Sequence, residues 1–156
     1  MDILVNEGLI KDASNVCLSY FTENEQIYFS NKWDKFNKKN ICNIAVEYGW
    51  LDLLKWAYVN CSKIEWDAQI SMWLKCVAQM GHLEILKWMR ENDPHKFDLY
   101  TKYNGDVCSS AAYNGHLLIL KWAIENGCRM DCLTCSYAAW NGHLEVLIWA
   151  RQNERE

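Results

Sequence analysis

"GHLEILKW", residues 81–88, returns as "GHLLILKW" at 115–122 and as "GHLEVLIW" at 142–149, with a worn copy, "GWLDLLKW", at 49–56. The four glycines stand 32, 34 and 27 residues apart. A period in this range with loops of varying length marks a solenoid of small supersecondary units. Past each glycine the apolar columns are fixed. Leu51, Leu83, Leu117 and Leu144 stand two on; Leu53, Ile85, Ile119 and Val146 four on; Leu54, Leu86, Leu120 and Leu147 five on; Trp56, Trp88, Trp122 and Trp149 seven on. The spacing is helical and covers more than a narrow stripe, so neighbours must cover this helix on several sides. Lys55, Lys87 and Lys121, six on, mark its wet side.

Before each glycine runs a second helical word: "CNIAVEYG", "LKCVAQMG", "CSSAAYNG" and "CSYAAWNG". Its small residues, Ala45 and Val46, Val77 and Ala78, Ala111 and Ala112, Ala138 and Ala139, let two helices approach closely. The glycine then ends the first helix in a left-handed turn. Each copy therefore reads as an αα-hairpin. First helices are expected near 41–48, 69–79, 107–114 and 134–141, and second helices near 50–59, 82–91, 116–126 and 143–152. The four tryptophans are expected to be wedges between repeats, with Trp88 and Trp122 deepest.

Composition agrees. One proline and seven glycines in 156 residues are few for a turn-rich β fold. A net charge of -4 opposes general nucleic-acid binding, which needs a basic face. The lysine-rich "NKWDKFNKKN", 31–40, reads as a solvated face, or as a small basic contact patch. No apolar run reaches the roughly 18 residues of a membrane span. The opening "MDILVNEGLIKD" has neither the basic start nor the apolar core of a secretory signal. Eight cysteines without such a signal point to a reducing compartment, cytoplasmic or nuclear.

The stretch "TCSYAAWNGHLEVLIWARQN", 134–153, resembles the ankyrin repeat in Thr134, Ala138, Ala139, Gly142, His143, Leu144, Glu145, Val146 and Leu147. It departs from that pattern at Cys135, Tyr137 and Trp149, and the stretch from Gly127 to Thr134 is short for the family's β-hairpin finger. Such Trp- and Cys-bearing repeats resemble those expanded in giant DNA viruses and some protists. The resemblance spans 40–153. It implies an all-α, ankyrin-like solenoid of stacked helix-turn-helix repeats with shortened fingers: four repeats at about 40–60, 67–92, 106–127 and 131–153 in one continuous domain. Residues 1–39 are expected to form N-terminal capping helices, with Asp12 and Thr22 as N-caps. His82, His116 and His143, each following the repeat glycine, are expected to help cap the second helix. Asp52, Glu84 and Glu145 suit its first turn, where carboxylates complement the helix dipole.

Three functional readings follow. The first is a non-enzymatic adaptor, viral or host-directed, that binds another protein. In ankyrin proteins, contacts come from the fingers and the exposed end of the first helix. The matching positions two before the glycine are Glu47, Gln79, Tyr113 and Trp140. Tyr113 and Trp140 are favoured anchors for a partner; the bland account packs them on each other across repeats. The second reading is a self-associating assembly protein, because Ile148 breaks the lysine column of the C-terminal repeat. The third is a metal-dependent enzyme using Cys128, Cys132 and Cys135 of "CRMDCLTC". Ligand pairs at zinc-finger spacing are absent, and Cys135 shares a repeat column with Cys108 and Cys42, so that spacing reads as coincidence. No nucleophile or phosphate-loop motif is present. Neither a catalytic residue, a metal nor a cofactor is expected.

Overall fold

The computed structural model describes residues 38–60, 63–103 and 106–153, which form helices and no strand. In chain order these are α1 (Lys38–Tyr48), α2 (Leu51–Asn60), α3 (Lys63–Met80), α4 (Leu83–Asn92), α5 (Pro94–Tyr103), α6 (Asp106–Tyr113), α7 (Leu117–Glu125), α8 (Cys132–Trp140) and α9 (Leu144–Asn153). The expected hairpins are α1–α2, α3–α4, α6–α7 and α8–α9. The proposed cap over 1–39, with Asp12 and Thr22, lies outside the described residues except for Lys38 and Lys39, which open α1.

The same turn closes every first helix. Gly49, Gly81, Gly115 and Gly142 have φ of 78°, 88°, 75° and 74°, the left-handed region that favours glycine. The next amide donates back to the carbonyl five residues before it: Trp50 to Ala45, His82 to Val77, His116 to Ala111 and His143 to Ala138, at 2.8–3.0 Å. This is the Schellman closure, and each accepting carbonyl belongs to the small-residue column. The far end of the second helix has its own lock. Asn92, Asn126 and Asn153 stand eleven past their glycines, and each side-chain amide donates to the carbonyl of the repeat tryptophan, Trp88, Trp122 or Trp149.

Helix α5 was not anticipated. It fills the interval between the second and third repeats, with Pro94 at its first position, where the missing N–H costs nothing. The Asp93 carboxylate accepts from the Lys96 amide at 3.1 Å and caps it. Its inward residue, Phe97, is fully buried and meets Trp122 edge-to-face at 5.8 Å.

The described chain divides into two compact units, one within 1–45 and 50–67, the other 46–49 with 68 onward. In the first, Ile41, Cys42, Ala45, Leu53, Leu54 and Ala57 are buried, and Trp66 sits beneath Tyr58 edge-to-face at 4.7 Å. In the second, α8 lies beside α6, and these two first helices pack on their own second helices, α9 and α7.

Burial shows which columns make the core, and it corrects the reading of the tryptophans. The fourth and fifth residues past the glycine are essentially inaccessible: Leu53 and Leu54, Ile85 and Leu86, Ile119 and Leu120. So are Ala57, Met89, Ala123 and Ala150, eight past it. The repeat tryptophans are only half-buried, and Trp88 and Trp122 are no deeper a class than the others. Helical geometry explains this. At about 100° per residue, columns four, five and eight centre on one direction, and column seven lies roughly 110° away, on the shoulder of the buried face. The lysine column lies almost opposite that face. Lys55 and Lys87 there pair with Asp52 and Glu84 one turn back, at 3.8 and 2.8 Å.

Candidate functional site

The carbonyls at the exposed end of one first helix hold the histidine of the next repeat. His82 Nε2 donates to the carbonyl of Glu47, His116 Nε2 to that of Gln79 and His143 Nε2 to that of Tyr113, each at 3.0 Å. A carbonyl only accepts, so Nε2 carries the proton. His82 and His116 occupy the N-cap position of α4 and α7, yet neither side chain bonds its own helix. The expected cap role is therefore corrected: the imidazole joins two repeats. Its ring stands against the glycine of the repeat before it. A Cβ built on Gly49, Gly81 or Gly115 would stand 2.6, 2.8 or 2.6 Å from the ring of His82, His116 or His143. Glycine is thus needed twice, for its φ and for the space the next histidine fills. Asn114 adds a second donor to the Gln79 carbonyl at 2.8 Å.

This clasp fixes Glu47, Gln79 and Tyr113 at equivalent places in the unit that contains them, and Trp140 is the fourth residue of their column. The backbone of the first three is spent on the histidines, and all four side chains face solvent. Tyr113 is 44% exposed and Trp140 88%. The account in which these two pack on each other does not hold. Tyr113 instead meets Tyr137 edge-to-face, with centroids 5.6 Å apart and planes at 83°. Trp140 presents nearly its whole indole to water, an unusual place for so much apolar area.

Gln79 and Tyr113 share a hollow of about 230 Å³ between α3, α6 and α8. Glu47 and Trp140 do not line it. The floor is formed by Ser109 and Ser110, which are 5% and 6% exposed. Tyr137 and Leu133 form the α8 wall, and Lys75 and Asp106 supply one charge of each sign. Sequence reasoning missed these residues because their loops and helices differ in length between copies. The signal within reach was the run Asp106–Tyr113, whose polar residues interrupt an otherwise apolar helix.

The cysteine cluster does not converge on a site. Cys128 is buried, Cys135 half-buried and Cys132 exposed. Burial pushes the Cys128 thiol up to about 11, against lowering by its hydrogen bond with Thr101 and by Arg90. Burial raises Cys108 further still. Thiols held protonated are poor nucleophiles and poor metal ligands. Among the described residues no three His, Cys, Asp or Glu side chains gather as a metal site. No helix among them is long and apolar enough to cross a membrane.

Residues 108–151 match the family model for ankyrin repeats (many copies). The match takes in the last two hairpins, α6 to α9, where the repeat words are best preserved. No curated protein and no solved structure matches the chain. The fold is thus all-α and ankyrin-like, and ankyrin repeats generally mediate protein–protein interaction.

Proposed function

We propose that this chain is a non-enzymatic adaptor that binds another protein along the exposed ends of its first helices, through Glu47, Gln79, Tyr113 and Trp140. The observation that carries the reading is Trp140, an 88% exposed indole at the end of α8, in the hairpin whose His143 is clasped to the Tyr113 carbonyl. A rigid aromatic side chain loses little entropy on binding and supplies large area, which is why Trp and Tyr dominate interface energetics. Tyr113, braced by Tyr137, offers a second anchor one repeat away. The viral or host-directed role implied by the resemblance, and a reducing cytoplasmic or nuclear setting, belong to the same reading. Cys76, Cys108, Cys128 and Cys132, thiols and not disulfides, support that setting.

The test is capture of a partner from a lysate by the wild type and by the Tyr113→Ala/Trp140→Ala double variant. The double variant keeps its helical circular dichroism and loses most of the partner. Changing Lys55, Lys87 and Lys121 to Ala leaves capture nearly unchanged. Loss of capture only with the lysine set overturns the proposal.

A second reading, self-association through the C-terminal repeat, has its own observation. Gly142 has nothing within 4 Å of a built Cβ among the described residues, whereas the other three repeat glycines each hold a histidine. Around it apolar side chains stand open. Ala139 is exposed where Ala112 is fully buried, and Leu144 is 64% and Ile148 48% exposed. Light scattering that gives a dimer mass, lost in Ile148→Asp, would favour this reading; a monomer mass at high concentration would remove it.

A further inference from the structure

We infer that the hollow between α3, α6 and α8 receives an arginine side chain from the partner segment; this rests on the interaction reading above and specifies its chemistry. Size comes first. At about 230 Å³ the hollow is smaller than the roughly 300–1,000 Å³ of small-molecule sites, yet it has room for one long side chain. It also adjoins Tyr113, an anchor of the proposed surface, so a bound segment crosses it.

Hydrogen-bonding capacity decides what enters. The Asp106 carboxylate only accepts. The Ser109 hydroxyl donates to the Asp106 carbonyl at 3.3 Å, so toward the hollow it turns lone pairs. Tyr113 and Tyr137 meet at 83° and form an aromatic corner, and aromatic faces attract cations. These groups ask for a flat, donor-rich cation. A guanidinium is one: it stacks on a ring and directs several N–H groups from its edge. Lys75 is the opposing charge on the lining. It is exposed on a flexible stem and makes no ion pair within 4 Å among the described residues, so it can swing outward, whereas the short Asp106 side chain stays close to the first turn of α6. The chain's net charge of -4 favours approach of a basic segment.

The experiment titrates the full chain with three blocked peptides, acetyl-Gly-X-Gly-amide with X as arginine, citrulline or glutamate, and follows amide shifts by NMR. The expected result is saturable shifts at residues 106–113 and 133–137 with the arginine peptide. Citrulline, the uncharged isostere, binds roughly tenfold more weakly, and Asp106→Asn weakens arginine binding by a similar factor, about what one charge-assisted hydrogen bond supplies. Lys75→Gln leaves arginine binding equal or tighter. Tyr137→Leu, which removes the corner and keeps the carboxylate, also weakens it and serves if Asp106→Asn fails to fold. Citrulline binding as well as arginine, glutamate binding lost in Lys75→Gln, or no shifts in these segments each overturns the inference. Partner capture that depends on Tyr113 and Trp140 while the arginine peptide does not bind sinks only the inference. Capture indifferent to that double variant sinks the interaction reading as well.

Discussion

Replacing Gly115 by Ala tests the clasp that holds the repeats in register. Two penalties arise. The left-handed φ of 75° costs a Cβ-bearing residue roughly 1–2 kcal/mol wherever it occurs. The new Cβ also meets His143 at Nδ1, Cε1 and Cγ, at 2.6, 2.9 and 3.0 Å. Because the contact includes Cγ, the ring cannot escape by turning its far edge; the whole imidazole must leave. It then gives up its hydrogen bond to the Tyr113 carbonyl, worth about 0.5–1.5 kcal/mol and near the low end at so exposed a place. The expected total is about 2–3 kcal/mol. Gly142→Ala is the internal control: φ is 74°, but nothing stands within 4 Å, so only the backbone penalty of roughly 1–2 kcal/mol applies. Urea unfolding followed by circular dichroism at 222 nm reads both. A double-mutant cycle completes the case, since in a His143→Ala background Gly115→Ala falls to the cost of the control. Equal losses for Gly115→Ala and Gly142→Ala, or a cycle without coupling, would refute the clasp.

Other expectations follow from burial and capping. Leu120→Ala, at a fully buried position, costs about 2–5 kcal/mol, and Trp122→Ala, on the half-buried shoulder, costs less; the reverse order in urea midpoints would restore the tryptophan as the deep wedge. Asp131 accepts from both the amide and the hydroxyl of Thr134, at 3.1 and 3.0 Å, so Asp131→Ala should destabilise by about 1 kcal/mol, and a neutral result would void the cap on α8. A thiol reagent added to native protein should modify Cys132 first and reach Cys108 and Cys128 only on unfolding, as peptide mapping would show. Burial raises the Cys128 thiol from 9.0 to about 11, so above pH 9 the unfolded chain binds fewer protons than the folded one. The stability this thiol contributes is therefore complete below pH 9 and lost toward pH 11. Cys128→Ala should flatten that alkaline decline in ΔG relative to wild type, and an unchanged slope would mean the thiol is not held protonated.

The hairpins were legible in the sequence because their signals are local. Gly49, Gly81, Gly115 and Gly142 punctuate two apolar words of helical period, and each of those words forms the helix it describes. What repetition alone does not reveal is how far round a helix a column lies. All four tryptophans recur as faithfully as the leucines, so recurrence singled them out as wedges. Their angular offset of roughly 110° from the buried face, which follows from 3.6 residues per turn, was the better guide. Helix α5 was missed for the opposite reason: it occurs once, and Asp93-Pro94 announces it only to a reader looking for a cap followed by an N1 proline.

The histidines show where local reading stops. His82, His116 and His143 sit where a capping residue belongs, and a sequence offers no acceptor other than their own helix. The acceptor is the carbonyl two residues before the preceding glycine, 30 to 37 residues away in the chain. Once that pairing is seen, Gly and His are no longer independent features of the repeat. The glycine ends one helix and vacates the volume that the next repeat's imidazole enters, so the Gly-His step encodes both the turn within a repeat and the contact between repeats. The first repeat bears out the asymmetry: Gly49 receives His82, while Trp50 stands in the histidine's own place. The candidate surface follows from the same step. With the backbone carbonyls of Glu47, Gln79 and Tyr113 engaged by the histidines, the helix ends are held while the side chains stay exposed, which is what the proposed surface requires.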